Sequence, residues 1–497
     1  MIKKQLKQRL GCLILCLALA CGLTCPAAAA GFTDVPASHW AAADIDRCVK
    51  LGFFQGESAS RFGVGHPMTR AAFAVVLSRF FGWTTTAPTK APFTDVPANA
   101  WYAGAVQAAY DHGAVTNQRA EFRPADPITR EELAVMLVRA LGYGAIAGLA
   151  QDLPSAFQDV TTNAGYITMV CDLGLMGGTS ATTFAPSRTA PREQVAVILM
   201  RLYDRLHSAR PGRVGILAAG EETPSLSGWD AVALSGGQLV GVGGAQVVVN
   251  QDTAQASQVR TDAHAAGAKA LLYVKGGPSA LNSGAAETAR SLADAAADWD
   301  GLYLDIPALK MDKSLALTRL MQALRPLLNG KLLYLAVEAP AWQATQYTGY
   351  DYAALAPLAD KLVLRIASYA PTDGADYPAA PVEPLEELYY ALAELRDKVD
   401  TKKLSVLTTS EVSVWAGGRH TTSVDGQELT QLYTQGKLSS HYSDRYGCAY
   451  LSGQTADKRP LIAWYLDRQS IAARERLLGL FGVDQMAADS VTAFPGV

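Results

Sequence analysis

Trp299-Asp300-Gly301-Leu302-Tyr303-Leu304-Asp305-Ile306-Pro307 is the stretch that decides the fold of the C-terminal half of the chain. Leu302, Leu304 and Ile306 are apolar, Tyr303 interleaves with them, and Pro307 has no amide proton to continue a ladder. The stretch therefore reads as a buried strand that stops at the proline. Carboxylates bracket it at Asp300 and Asp305. Two more apolar runs follow, Lys331 to Glu338 and Lys361 to Ser368, with helix-like segments between them. Strand alternating with helix points to a parallel sheet, most economically an α/β barrel with function at the C-terminal strand ends.

The residues after Arg213 supply enough chain for one barrel of roughly 250 residues. The expected strands are Val214–Ala219, Ala231–Leu234 with Gln246–Asn250 as a strand and hairpin, Ala270–Val274, and the three runs above. Leu404–Thr408 follows, and a poorly matching Ser490–Phe494 would come last. Helices are expected over Ser283–Ala297, Leu315–Leu328, Pro384–Lys398 and Ser470–Phe481.

Asp300, Gly301 and Asp305 stand in the spacing Asp-Gly-x-x-x-Asp-x-Glu. This resembles the signature strand of the family-18 glycoside hydrolases, the chitinase-like barrels. Leu271-Leu-Tyr-Val-Lys-Gly-Gly277 is similar to that family's second signature, and Ile462 to Ile471 is similar to the late strand and helix of its spore cortex-lytic members. The resemblance implies that Asp305 positions an acetamido group and that a Glu two residues later protonates the leaving oxygen. Here that Glu is Pro307, and the sixth-strand partner is replaced by Arg365-Ile366-Ala367-Ser368, with Tyr369 one step beyond. Proline carries no proton, and general acid catalysis is worth roughly 10²–10⁴-fold in rate. The barrel is thus expected to be chitinase-like but catalytically degenerate. Glu338, ending the next strand, is the candidate for a relocated acid paired with Asp305; it also suits capping a loop or pairing with Arg365. Asp300, Asp305, Glu338, Tyr369, Trp342 and Trp415 are the expected lining of a glycan cleft, the aromatic members suiting an outer core equally well.

The preceding residues repeat three times. Phe32-Thr-Asp34-Val-Pro36, Phe93-Thr-Asp95-Val-Pro97 and Phe157-Gln-Asp159-Val160 open the units. Trp40, Trp101 and, less regularly, Tyr166 follow, with Gly165 in the tryptophan's place in the third copy. A second helix starts at Thr69-Arg70, Thr129-Arg130 and Pro191-Arg192. Thr129 and Glu132 have the spacing of a capping box. Units of this size cannot bury a face alone. These residues resemble the S-layer homology pattern, here in three copies over about residues 31–208. That resemblance implies an all-α module holding an exported protein on a bacterial cell-wall polysaccharide, with Arg70, Arg130 and Arg192 beside the acidic sugar and Asp34, Asp95, Asp159, Trp40 and Trp101 close by. Arginine suits anion recognition, which favours a binding role over internal ion pairs. The aspartates suit turn caps equally, and the large aromatics suit a core.

The N-terminus has the layout of a secretory signal: Lys3, Lys4, Lys7 and Arg9, an apolar run from Leu13 to Leu23, and Ala27–Ala30. Cleavage after Ala30 is expected, while Ala18-Leu19-Ala20 before Cys21 leaves a lipoprotein reading open. Removing four bases from a net charge of -3 leaves about -7, a poor balance for nucleic-acid binding. Four of the seven cysteines lie in the signal; Cys48, Cys171 and Cys448 have no paired spacing and are expected to be buried apolar residues. No motif indicates a metal or a cofactor, and no later run is apolar enough to span a membrane.

The expected organisation is a signal over 1–30, repeats over 31–83, 93–145 and 155–208, and a (β/α)8 TIM-barrel-like domain over 213–497. Its expected setting is the bacterial cell wall or S-layer surface. Its expected partners are cell-wall polysaccharide or peptidoglycan and an N-acetylated glycan. Three functions remain open: a degenerate glycan-binding barrel on a wall anchor, an active wall-glycan hydrolase using Glu338, and a purely structural S-layer protein.

Overall fold

The computed structural model describes residues 31–89, 92–152, 155–241, 246–370, 379–424, 426–435 and 437–492. The expected signal, including Cys21, lies outside them, as does the end of the expected strand Ser490–Phe494. The chain forms two compact units. One runs to Ala140 and adds Phe157–Val160 and Gly178–Arg201; the other comprises Leu141–Ala156, Thr161–Gly177 and Leu202–Val497. The third repeat is therefore divided: its opening turn and most of its second helix join the first unit, while its first helix, Ala164–Asp172, joins the second.

In the first unit the second helices of the three repeats begin at Arg70, Arg130 and Arg192. Thr69 caps the first of them, accepting the Ala72 amide at 3.2 Å. The second has the full capping box: Thr129 Oγ1 accepts the Glu132 amide at 3.2 Å, and Glu132 returns to the Thr129 amide at 3.0 Å. Phe62, Phe122 and Phe184 are fully buried, so these aromatics are core.

The residues before the helices close a ring. Met68 N–H donates to Ala190 O, Ala190 N–H to Ile128 O, and Ile128 N–H to Met68 O, at 3.0, 3.0 and 2.7 Å. Isolated antiparallel bridges run alongside, Pro67 with Pro191, Thr69 with Pro127 and Thr129 with Thr189. The unit is therefore helical with β-bridges at its centre, and each repeat satisfies a neighbour's backbone where it cannot satisfy its own.

In the second unit eight parallel strands close a barrel in the order β1 (Gly212–Leu217), β14 (Gln485–Ala488), β8 (Leu404–Thr408), β7 (Lys361–Arg365), β6 (Leu332–Glu338), β5 (Gly301–Asp305), β4 (Lys269–Gly276) and β2 (Ala231–Val240), with β1 pairing β2. β3 (Gln246–Val249) pairs antiparallel with β2, the expected hairpin. The last barrel strand is Gln485–Ala488 rather than the stretch from Ser490: it is four short residues after a helix, too brief for its pattern to stand out.

Between β8 and β14 lies a second sheet of five antiparallel strands, ordered β10 (Arg419–Val424), β9 (Val412–Ala416), β13 (Pro460–Tyr465), β12 (Cys448–Gln454) and β11 (Lys437–Ser443). Val412, Val414, Leu451, Leu461 and Ala463 form its core. The apolar run at Ile462, similar to a late strand of the family, belongs to this sheet rather than to the barrel. Cys48 and Cys448 are buried and Cys171 is half-buried, all three as free thiols.

Candidate functional site

Alternation along the barrel strands sets what faces the interior. Val214, Ala231, Ala233, Leu271, Tyr303, Tyr334, Ala336, Val363, Leu407 and Ala487 pack together inside the barrel. Two residues further along, on the same face, come Asp305 on β5, Glu338 on β6 and Arg365 on β7. Glu338 and Arg365 are register partners at the strand ends.

Arg365 bridges the two carboxylates. Its Nη2 donates to Asp305 Oδ2 at 2.8 Å and its Nη1 to Glu338 Oε1 at 2.8 Å. The three side chains are 28%, 3% and 13% exposed respectively. Burial alone would depress the Arg365 guanidinium, but Asp305 and Glu338 outweigh that and raise it well above its ordinary range.

Asp305 Oδ2 also accepts the Tyr273 hydroxyl at 2.6 Å; burial, then the Asp305 charge, pushes that phenol far above its usual range. Glu338 Oε1 also accepts the Ala308 amide at 3.3 Å. Both alternatives for Glu338, loop capping and pairing with Arg365, are thus present in the structure. Asp305 Oδ1 and the Tyr303 hydroxyl are buried with no protein partner.

Beyond β5 the backbone turns through Ala308 at φ 59°. Tyr350 pins this turn, donating its hydroxyl to Ile306 O at 2.9 Å and accepting the Leu309 amide at 3.4 Å. Pro307 lies in the pinned segment, where the signature glutamate would stand.

The other expected cleft residues are dispersed. Asp300 sits at the N-terminal end of β5, accepting the Ala270 amide and facing His264 Nε2, both at 2.8 Å. It ties strand to helix at the end of the barrel opposite Asp305 and is no part of the mouth. The Tyr369 hydroxyl lies 3.0 Å from Glu386 and 2.9 Å from Glu387. Glu387 also accepts the backbone amides of Trp342 and Gln343, so the half-buried Tyr369 and Trp342 are both tied to the buried glutamates at the start of the helix Leu385–Leu395. Trp415 lies on β9 of the second sheet, in register with His420 and Ile462.

A further acidic group had gone unread. Asp489, just past β14, accepts the Thr409 hydroxyl at 2.7 Å and the Ser410 amide at 2.8 Å. Glu383 accepts the Thr409 amide at 3.1 Å, and burial pushes its carboxyl up to about 8. Glu383 has φ 45°, a left-handed conformation rare for a side chain of this size. The step Glu383-Pro384 carried part of this signal, since the residue before a proline is held away from ordinary helix geometry.

In the repeat unit the arginines are structural donors. Arg70 Nε donates to Phe122 O, Arg130 Nε to Phe184 O and Arg192 Nε to Phe62 O, at 2.7, 3.0 and 2.9 Å. Each guanidinium lies over the ring of the same phenylalanine, at 4.8, 4.4 and 5.0 Å from its centroid. Every arginine thus reaches into the next repeat, around the ring of three. Asp34 accepts the amides of Phe62, Gly63 and Val64; Asp95 those of Phe122 and Arg123; Asp159 those of Phe184 and Ala185. The aspartates close turns within their own repeats. Trp40 and Trp101 are the exposed members, at 61% and 71%.

Among the described residues, no group of three His, Cys, Asp or Glu side chains is placed to hold a metal ion, and no helix is long and apolar enough to cross a membrane.

The S-layer homology domain model matches residues 31–74 and 92–134, within the first two repeats. An endoglucanase of Bacillus sp. (strain KSM-635) is 32% identical over 217 residues, 40% of this chain and 22% of that protein. The S-layer protein EA1 of Bacillus anthracis is 29% identical over 184 residues, 36% of this chain and 21% of that protein. The chain thus spans about a fifth of the length of these curated relatives. Among solved structures, the spore cortex-lytic enzyme SleL of Bacillus cereus superposes with a TM-score of 0.50 at 11% identity, covering 58% of this chain and 73% of that one. A chitinase from Chromobacterium violaceum gives 0.51 at 16% identity, covering 57% and 96%. At such identities the likeness is one of fold. The chain carries S-layer homology domains and a barrel that resembles family-18 glycosidases, and its setting is the cell wall or S-layer surface.

Proposed function

From the S-layer homology domains and the chitinase-like barrel, we propose that this is a wall-anchored protein whose barrel binds an N-acetylated glycan without cleaving it. The repeats grip cell-wall polysaccharide or peptidoglycan, and the barrel presents its mouth to a second glycan. The observation that carries the reading is Arg365 lodged between Asp305 and Glu338, 2.8 Å from each. Hydrolysis by a carboxylate pair needs one protonated member beside the leaving oxygen. Position 307 supplies none, and the guanidinium occupies the space between the two remaining carboxylates while engaging both. Glu338 is thereby committed to a cation and to a loop amide, which argues against it as the relocated acid.

Binding is favoured by what the mouth leaves unspent. Asp305 Oδ1 and the Tyr303 hydroxyl are buried polar atoms without protein partners, an expensive arrangement that a polar ligand would relieve.

The test is to incubate the full mature chain with chito-oligosaccharides and with peptidoglycan, following reducing-end release and, separately, binding by calorimetry. Binding without release is expected. Release at an enzymatic rate, lost in Glu338→Gln, would replace the reading with a hydrolase. Neither binding nor release would leave a structural surface protein.

A further inference from the structure

One face of the helix Arg468–Phe481, the end of the helix Arg192–Leu206 and the stretch leading into β1 enclose a cavity of about 310 Å³. On the first helix Ala472, Glu475, Arg476 and Gly479 line it, spaced i, i+3, i+4 and i+7 along one face. Arg205 and Arg210 line it from the other side, and all of these residues belong to the second unit. Gly479 permits the close crossing: a Cβ there would stand 3.2 Å from Ser208 Oγ and 3.3 Å from Arg205 O. The cavity sits where β1 and β14 begin, since Pro211 lines it and the Gly212 amide donates to Asp484 O at 2.8 Å. Asp305, by contrast, stands where β5 ends, at the opposite end of the barrel.

The charges around this cavity do not cancel. Three arginines line it against one carboxylate, Glu475. A fourth, Arg213, leans on the same carboxylate: Arg210 Nε and Arg213 Nη2 both donate to Glu475 Oε1, each at 3.1 Å. Arg205 donates through Nη1 to Leu480 O, a cation meeting the end of a helix. Arg476 is exposed and pairs with no carboxylate among the described residues. Two helix C-termini bring about half a negative charge each. Four guanidiniums against one carboxylate and those two dipole ends leave an excess of about two positive charges. The whole chain has a net charge of -3, so the excess is local. Gathered like charges repel one another, and an anion in the cavity would relieve that repulsion.

We propose that this cavity binds a phosphate group carried on a polyol or sugar. A guanidinium presents a fork of donors that matches phosphate oxygens, and a phosphate's charge of about one to two offsets the excess. Arg210 holds Glu475 through Nε, which leaves its Nη groups for a ligand, as does the exposed Arg476. Ligand pockets run from roughly 300 to 1,000 Å³, so there is room for the carrier beside the phosphate. The site stands apart from both the barrel mouth and the repeats. At a cell surface such phosphate is offered by anionic polymers and by lipid headgroups, and the test separates the two.

The experiment is calorimetric titration of the full chain with glycerol 3-phosphate, with glycerol and glycerate as baselines. Binding of glycerol 3-phosphate alone is expected, weakening as salt rises from about 50 mM to about 500 mM. Arg476→Gln and Arg210→Gln should each weaken it about tenfold, the lower end for losing a charge-assisted hydrogen bond, because both positions are exposed. Arg476→Lys should fall between, keeping the charge without the fork. Arg290→Gln removes the same charge from the exposed side of the helix Ala285–Ala295 and should bind as wild type does. Unchanged thermal transitions distinguish lost affinity from lost folding. Wall fragments bearing poly(glycerol phosphate) and phosphatidylglycerol vesicles, offered separately to wild type and Arg476→Gln, identify which source the site takes. No binding of glycerol 3-phosphate, equal binding of glycerate, or a loss in Arg290→Gln as large as in the cavity variants would overturn the site.

Discussion

Replacing Arg365 by Met would test the barrel mouth directly. The side chain keeps much of its length but loses the charge, leaving Asp305 and Glu338 facing one another with little solvent. At an effective dielectric of about 20, opposite charges roughly 4 Å apart attract by about 4 kcal/mol, most of which offsets the desolvation of the groups involved. Removing one partner of a buried ion pair typically costs about 3–5 kcal/mol because the other is stranded. Arg365 is 28% exposed, so water softens the loss, and Asp305 keeps its bond to Tyr273; about 2–4 kcal/mol is therefore expected at pH 7. Urea unfolding should be read on the barrel's own transition, since a chain of two compact units need not unfold in one step. The triple variant Asp305→Asn, Glu338→Gln, Arg365→Met should recover part of the loss, as neutral groups of similar shape carry no stranded charge. A single variant within about 0.5 kcal/mol of wild type at pH 7 would fall in the range of an ordinary surface change and refute the bridge as a stabilising element.

Two further outcomes follow from the same physics. Burial holds the Glu383 carboxyl at about 8 against 4.5 for the free group, so the folded chain keeps it neutral while the unfolded chain ionises it. Its contribution is fully present below about 4.5 and is lost as pH rises toward 8. At about 1.4 kcal/mol per pKa unit this amounts to roughly 3 kcal/mol at pH 7. Glu383→Gln can still accept the Thr409 amide, so it should flatten the barrel's stability between pH 5 and pH 7.5; an unchanged slope in urea melts would contradict the assignment. Asp34 behaves oppositely. Burial would raise its carboxyl, but the amides of Phe62, Gly63 and Val64 overcome this and hold it at about 2. Its contribution is present above the usual 3.8 and lost as pH falls toward 2, and Asp34→Ala should cost the repeat unit about 1–3 kcal/mol at neutral pH. Loss of less than half a kcal/mol in that unit's transition would show the turn to be held by something else.

The residues that encode local geometry were the ones legible in advance. The capping box at Thr129 and Glu132 and the β2–β3 hairpin follow from spacing alone, and the structure contains them. Asp300 was legible too and was misplaced: five residues of strand at about 3.3 Å each put it some 17 Å from Asp305, at the other end of the barrel. An odd separation also turns the two carboxylates to opposite faces. The tryptophans and arginines of the repeats were harder. Nothing local says that an arginine will reach a carbonyl in the next repeat, because that contact exists only once three repeats close a ring. With the guanidiniums drawn inward to the phenylalanines, the tryptophans remain at the surface. The second sheet is not legible in the sequence, where only Ile462 to Ile471 reads as a strand and helix; Ile462 pairs across to Trp415 and Ser452, partners that no linear pattern identifies.

The absence of an acid at position 307 and the presence of Arg365 form one arrangement. Asp305 and Glu338 reach the mouth from neighbouring strands, and the interior beneath them is mainly apolar, its polar groups including tyrosine hydroxyls and Gln485, which donates to Tyr334. Two carboxylates in such a place require either a shared proton or a cation. Arg365, register partner of Glu338 and one strand further from Asp305, supplies the cation from within the sheet itself. A glutamate at 307 would bring a third carboxylate to a mouth that one guanidinium already balances against two, whereas proline adds no charge and stiffens the segment that Tyr350 pins. On the reading proposed above, a glutamate at 307 would still find the guanidinium between the two carboxylates. Asp305 Oδ1 and the Tyr303 hydroxyl stay buried without a protein partner, and the binding reading proposed above rests on that unsatisfied polar capacity.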